Sequence, residues 1–149
     1  MSTPDSVVMD GDERDEFLGR GGTGVLSLAP TGDDAPHSIP VSYGYDPVES
    51  TFYFRLAVES GSGKTDAVDR SVSFVVYDSV DDEWRSVVAS GRLEGTTDDA
   101  IATETLEGLE RVRIPLVDVF GRPPSEVPFE FYRLVPDSLT GRKEATTGV

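Results

Sequence analysis

Residues 52–77 read FYFRLAVESGSGKTDAVDRSVSFVVY, and this stretch decides the predicted fold. The segment 52–57 alternates in side-chain character as a strand does, and 71–77 is a second run rich in valine and aromatic residues. Between them lie a glycine-serine loop and a short helix through Val68. The stretch therefore predicts two β-strands joined by a loop that opens into a helix.

The loop between these strands carries residue types that bind anions. Gly61 and Gly63 have no Cβ and let the backbone approach a ligand, while Ser62, Lys64 and Thr65 add hydroxyls and an ammonium. Backbone amides at the start of a helix, together with such groups, can surround a phosphate. The chain has only two lysines, and one of them lies here. We interpret the loop as a phosphate-type anion site, with an ordinary surface turn as the alternative.

The same loop ends like the P-loop of nucleotide triphosphatases, but the rest of that motif is missing. The motif requires a glycine five residues before Gly63, and this chain has Val58 there. No strand ending in an aspartate that could hold magnesium is evident in the sequence. The sequence therefore argues against a P-loop.

Length and composition narrow the class of protein. A chain of 149 residues fits one domain, which we expect to span 1–149 with loose tails at 1–9 and 144–149. No apolar run approaches the roughly 18 to 20 residues that cross a membrane, and no signal peptide is visible, so we expect a cytoplasmic protein. Without cysteine, and with His37 as the single histidine, disulfides, most zinc sites and histidine-based triads are disfavoured, and no metal is expected.

The net charge is −15, from 28 acidic and 13 basic residues. Such a charge repels nucleic-acid phosphates, so nucleic-acid binding is disfavoured. Aromatic and β-branched residues are plentiful, so the acidity is not that of a disordered chain. A folded protein with a strongly acidic surface is typical of a high-salt cytoplasm, where ions screen self-repulsion. The composition therefore predicts a halophilic source, such as a halophilic archaeon.

The rest of the chain adds strands and short helices. Strand patterns occur at 23–29, 37–45, 52–57, 71–77, 84–95 and 129–135. Helices are predicted at 10–19, through Val68 and from 96, where Ile101, Thr105, Leu106 and Leu109 form a stripe for core or dimer packing. Segment 114–120 is ambiguous, 121–128 is a proline-rich loop, and 137–149 is a polar tail. Hairpin-linked strands with a few short helices predict a mainly β protein, an antiparallel barrel of about six strands with helices outside.

The strand 37–45 has two different faces. One face carries bulky side chains from His37 to Tyr45, and the other carries Ser38, Pro40, Ser42 and Gly44. Proline cannot donate to a strand ladder, which places this strand at an edge or a bulge. The small face leaves room for a flat ligand or a neighbouring chain, with an ordinary solvated edge strand as the alternative.

Four segments in this order resemble the pyridoxamine 5′-phosphate oxidase-like family, the flavin-binding split β-barrels. The matching segments are 17–28, 37–43, 52–64 and 84–91, and the resemblance extends over roughly residues 10 to 143. It implies a six-stranded antiparallel split β-barrel of the FMN-binding type, with FMN as the cofactor at the interface of a homodimer.

The resemblance also implies which residues bind FMN. They are Pro40, Val41, Ser42, Tyr43, Arg55, Ser62, Lys64, Thr65, Arg85 and Ser86. The loop residues and Arg55 would hold the phosphate, residues 40–43 would line the flavin ring with backbone and side chains, and residues 85 and 86 would come from the partner subunit. No catalytic residue stands out, so the implied chemistry is hydride or electron transfer through the flavin.

The chain also departs from the family pattern. Gly63 stands where relatives often have arginine, and Arg55 stands where many have histidine. The C-terminal elements that bind the pyridoxal substrate are not recognisable after Phe129. We therefore expect an FMN-dependent oxidoreductase of unknown small-molecule substrate rather than an oxidase of vitamin B6. The alternatives are the same fold with the deazaflavin F420 or haem, and a non-enzymatic cofactor-binding or sensor dimer.

Overall fold

The computed structural model describes residues 6–30, 32–33, 35–57, 70–111 and 129–144. The predicted anion loop, with Ser62, Lys64 and Thr65, lies outside the described residues, as do the helix through Val68 and the segments 114–120 and 121–128. Among the helices of the described part, none is long and apolar enough to span a membrane.

The described residues form eight strands, two α-helices and one short 3-10 helix. The strands are β1 (Ser6–Val8), β2 (Gly21–Leu28), β3 (His37–Asp46), β4 (Thr51–Ala57), β5 (Ser71–Val80), β6 (Glu83–Thr96), β7 (Phe129–Leu134) and β8 (Ser138–Glu144). The helices are α1 (Gly11–Leu18) and α2 (Thr103–Arg111), and the 3-10 helix is Asp98–Ala100.

All strand pairs are antiparallel, and six of the strands close into a barrel. The sheet order is β1-β8-β6-β5-β2-β3-β4-β7, and an additional β6–β7 pairing closes the ring β2 to β7. Strand β6 is shared between two partners, because residues 85–90 pair with β8 and residues 93–96 pair with β7. The prediction of a six-stranded antiparallel split barrel is confirmed.

The inside of the barrel is aromatic. Tyr43, Tyr45, Phe52, Phe54 and Phe74 are buried, and their ring centroids lie 4.9 to 5.9 Å apart, mostly edge to face. Such pairs add to the stabilisation that comes from burying the rings. The bulky face predicted for 37–45 is therefore the core face of β3 from residue 41 onward.

Two segments predicted to be tails are strands. Residues 6–8 form β1 and residues 138–144 form β8, which pairs with both β1 and β6. Met9 is buried, and its N–H donates to the Gly141 carbonyl oxygen over 2.8 Å. The side chains of β8 are mostly polar, so the segment lacks an apolar alternation, and the edge of β6 supplies its backbone partners. The prediction of a polar tail over 137–149 is wrong for these residues.

Helix α1 is attached to the barrel by tyrosine hydroxyls. Asp10 caps its N-terminus, and its side chain accepts from the Glu13 N–H at 2.8 Å. The Tyr43 hydroxyl donates to the Leu18 carbonyl oxygen at 2.8 Å, and the Tyr45 hydroxyl donates to Asp15 Oδ1 at 2.7 Å. The core face of β3 therefore positions this helix.

Helix α2 packs on the barrel through glycines. Ile101, Thr105 and Leu109 are buried, so the predicted stripe packs against this chain's own core. A Cβ added at Gly108 would overlap the Arg20 carbonyl oxygen, and one at Gly21 would overlap the Gly108 carbonyl oxygen. The helix and strand β2 therefore meet at backbone distance, and α2 covers one end of the barrel wall.

Candidate functional site

A shallow depression lies on the outer face of the barrel wall, where β2, β3 and β5 run side by side. It has a volume of about 470 Å³ and is lined by Thr23, Gly24, Val25, Pro40 and Tyr77. Residues directly opposite each other in an antiparallel pair project to the same face, and Val25 lies opposite Pro40. The small, partly apolar side chains of this row leave the barrel surface open at this point. We call it the first depression.

Ser42 lies beside the first depression and has an unusual hydroxyl. It is two residues from Pro40 and opposite Thr23, so it shares the outer face with both. Its Oγ atom is buried and has no hydrogen-bond partner within the described part of the chain. Buried polar atoms are nearly always hydrogen-bonded, so the Ser42 hydroxyl lacks a partner that a molecule bound beside Pro40 could supply.

The other two predicted ring-lining residues point the opposite way. Val41 and Tyr43 alternate with Pro40 and Ser42, and both are buried in the core. Burial also raises the pKa of the Tyr43 phenol well above its ordinary value. The strand period therefore puts only the side chains of Pro40 and Ser42 beside the first depression, and the predicted ring contacts of Val41 and Tyr43, through backbone or side chain, stay predictions.

Arg55 lies on the outer face of β4, opposite Phe131. It is half-buried and lines neither the first depression nor the second one described below. It comes two residues before the end of β4, where the predicted anion loop begins. Its predicted phosphate contact, like those of Ser62, Lys64 and Thr65, stays a prediction.

A second depression adjoins the first and shares Tyr77 with it. It has a volume of about 290 Å³, and its lining residues are Tyr77, Trp84, Arg85, Ser86, Arg142, Lys143 and Glu144. Ser86 lies opposite Tyr77 on β5 and opposite Arg142 on β8, so these three residues form one row on the outer face. Sequence reasoning missed Tyr77 and Arg142, although two adjacent cations in a strongly acidic chain were a signal at 142–143.

Arg85 and Ser86, both of which the resemblance assigns to the flavin site of the partner subunit, project to opposite faces of β6. Arg85 alternates with the buried Val87 and Ala89, and its Nη2 lies 3.6 Å from Glu83 Oε1. Its Nε is buried and unpaired within the described residues. Ser86 is therefore the one of the two whose side chain shares a face with Tyr77 and Pro40.

Exposed apolar side chains surround both depressions. Val8, Tyr77, Trp84 and Val88 are 62%, 62%, 55% and 43% exposed, and strand register places them on the outer face. The rings of Tyr77 and Trp84 contact each other with centroids 6.2 Å apart. We call these four residues the outer apolar patch.

The closed ring of β2 to β7, with β6 shared between two partners, defines the class of protein as a split β-barrel. The family model for pyridoxamine 5′-phosphate oxidase matches residues 10–143. The chain therefore belongs to the pyridoxamine 5′-phosphate oxidase family.

Several solved structures share the fold at low sequence identity. The FAD binding protein from Mycobacterium smegmatis has a TM-score of 0.61 and 20% identity, with 93% of this chain and 100% of that chain covered. A FAD-binding protein from Mesorhizobium loti has a TM-score of 0.64 and 21% identity, with 94% and 99% covered. The FAD and haem binding protein from Mycobacterium smegmatis has a TM-score of 0.60 and 13% identity, with 97% and 74% covered. Among proteins with curated descriptions, none matches this chain.

These likenesses establish the fold, while the site rests on the residues of this chain. Within the described ranges, no group of three or more histidine, cysteine, aspartate or glutamate side chains could hold a metal ion. Of the five residues that line the first depression, only Tyr77 has a titratable side chain. The first depression can therefore hold a flat, partly apolar molecule, and it offers little for acid–base chemistry.

Proposed function

We propose that this protein is a flavin-dependent oxidoreductase whose flavin ring lies in the first depression. The observation that supports it best is the unpaired Ser42 hydroxyl, which lies beside an open surface at Pro40 on the strand that the family resemblance assigns to the ring. Pro40 and Val25 provide apolar contacts for a flat ring, and Ser42 can hydrogen-bond one of its polar edges. A bound flavin would supply hydride or electron transfer.

We propose FMN as the flavin, held by its phosphate at the predicted anion loop. Ser62, Lys64 and Thr65 carry the donors that a phosphate requires, and an acidic chain must place such cations locally. The relatives described as FAD-binding make FAD the second candidate. Direct comparison of the two flavins is therefore part of the test.

We further propose that two copies of the chain form a homodimer through the outer apolar patch. Contiguous exposed apolar surface is costly in water and marks interaction sites. Tyr77 and Trp84 adjoin both depressions, so a second copy seated there would cover their open sides. Such a partner would exclude water from the flavin ring and bring its own Ser86 near the site.

The test is titration of the purified protein with FMN and with FAD, followed by flavin absorbance and fluorescence. We expect saturable binding, and we expect Ser42→Ala to weaken it about threefold to tenfold through the loss of one hydrogen bond. Ser38→Ala is the matched control, because Ser38 lies on the same face but its hydroxyl already contacts Ser27 Oγ at 2.7 Å.

Three outcomes would contradict the proposal. A purified protein that is colourless and binds neither FMN nor FAD would contradict a flavin-dependent function. A haem band in the absorbance spectrum would favour the haem alternative. If flavin binds but Ser42→Ala leaves its affinity unchanged, the flavin does not contact the Ser42 hydroxyl and the placement of the ring beside it fails.

A further inference from the structure

The second depression combines two aromatic rings that contact each other at a tilt with an arginine that has no ion pair within the described part of the chain. Its other two cations are engaged, since Arg85 faces Glu83 and the Lys143 ammonium donates to Glu13. Arg142 is exposed and has no ion pair among the described residues. In a chain with a net charge of −15, an arginine without a carboxylate partner can bind an anion from outside.

The polar groups around Arg142 suit an anion on a planar molecule. The Ser86 hydroxyl lies between Tyr77 and Arg142 in the cross-strand row. The one carboxylate that lines the depression, Glu144, accepts the Trp84 backbone N–H at 2.6 Å, so one of its oxygens is occupied. Tyr77 and Trp84 offer ring faces on which a flat heterocycle can stack, and in the proposed homodimer this heterocycle would lie between the two rings and the partner subunit.

The second depression lies away from the start of β5. Tyr77 is six positions along that strand from Ser71, where the strand begins. At about 3.3 Å per residue, six positions span roughly 20 Å.

We propose that the second depression is a nucleotide subsite that binds an adenylate group, with the purine on Tyr77 and Trp84 and the phosphate on Arg142 and Ser86. This subsite rests on the proposed function for its role beside the flavin. Its ligand is the adenylate of a separate nicotinamide dinucleotide that reduces the flavin, or the adenylate half of FAD itself. The two sources share the same chemistry, and they are distinguished below.

Trp84 is the only tryptophan of the chain, so its fluorescence reports on this depression without any flavin. AMP is titrated at fixed ionic strength while Trp84 emission is recorded. We expect a saturable change, a weaker response to adenosine, which lacks the phosphate, and an AMP affinity about tenfold or more lower in Arg142→Gln.

Arg20→Gln is the matched control. Arg20 is also an exposed arginine without an ion pair in the described part of the chain, and it lines neither depression. It therefore reports what the loss of one positive charge does by general electrostatics alone. Equal effects of the two substitutions, or no saturable change with AMP, would overturn the subsite.

Flavin-loaded protein separates the two sources. If AMP and NADH compete on the FMN-loaded protein, the adenylate belongs to a separate dinucleotide. The adenylate belongs to FAD if three results occur together. FAD binds more tightly than FMN, Arg142→Gln abolishes this difference in affinity, and FAD prevents AMP from binding. A protein that binds flavin but shows no response to AMP would contradict the nucleotide subsite alone. A protein that responds to AMP but binds no flavin would contradict the proposed flavin-dependent function alone.

Discussion

Single positions along β3 decide which side chains can touch a ligand. Pro40 and Ser42 face outward beside the first depression, whereas Val41 and Tyr43 face the core, although all four are neighbours in the chain. Likewise Ser86 joins the outer row and Arg85 turns away from it. A family motif transferred residue by residue therefore needs the strand period to sort its members.

The predicted phosphate contact of Lys64 is testable with the chain's second lysine as the control. Lys64→Ala should weaken FMN binding by about 1.5–3 kcal/mol, the size of one charge-assisted hydrogen bond. Lys143→Ala removes the same charge, but Lys143 is paired with Glu13 and lies in the second depression, so FMN affinity should stay unchanged. Affinities are measured at matched salt, because ions screen the contact. An unaltered FMN affinity in Lys64→Ala would show that Lys64 does not contact the FMN phosphate.

The raised pKa of Tyr45 predicts that the folded protein loses stability at alkaline pH. Burial, together with the hydrogen bond to the Asp15 carboxylate, raises the pKa of Tyr45 from 10.0 to about 12. A folded-state pKa above the unfolded value gives stability that is complete below pH 10 and is lost as the pH rises toward about 12. Urea unfolding across that range should show the decline, and Tyr45→Phe should make it shallower. A parent protein whose free energy of unfolding is constant from pH 10 to 12 would contradict the prediction.

Helix α2 and strand β2 pack with their backbones in close contact. Gly108 in α2 lies against the Arg20 carbonyl, and Gly21 of β2 lies against the Gly108 carbonyl. The contact explains a glycine in a helix, where alanine is intrinsically better by about 1 kcal/mol. The helix is therefore held by close backbone approach as well as by its buried stripe.

Gly108→Ala should lower the free energy of unfolding by about 1–3 kcal/mol, because the added methyl group forces α2 away from the barrel. Glu107→Ala is the control, since Glu107 is the exposed neighbour in the same helix and should change stability by less than about 0.5 kcal/mol. Chemical denaturation measures both. A Gly108→Ala variant as stable as the parent would mean that the helix can shift without cost.

For the whole molecule, formation of the proposed homodimer depends on the outer apolar patch. Val88→Glu should shift the protein from dimer toward monomer in analytical ultracentrifugation, because a carboxylate would be buried at the interface. Val48→Glu is the control: Val48 is 91% exposed in the turn between β3 and β4 and lies outside the patch. Equal effects of the two substitutions would move the interface elsewhere.

The net charge of −15 acts over the whole molecule as self-repulsion. Added salt screens it, so the melting temperature should rise as ionic strength increases from low to high. Thermal melts across a salt series test this. A melting temperature that does not change with salt concentration would count against the predicted high-salt environment. The halophilic source stays a prediction until then.

The barrel strands and the helix over 10–19 could be predicted from the sequence alone. They depend on patterns within a few residues, such as the alternation along 37–45 and 52–57, and such patterns can be read without knowing which segments pair. Strands β1 and β8 and the row that joins Tyr77, Ser86 and Arg142 emerge only in the folded chain. Strand register explains the difference: polar β8 becomes a strand because β6 offers it hydrogen-bond partners, and which side chains then meet depends on pairing between segments far apart in the chain.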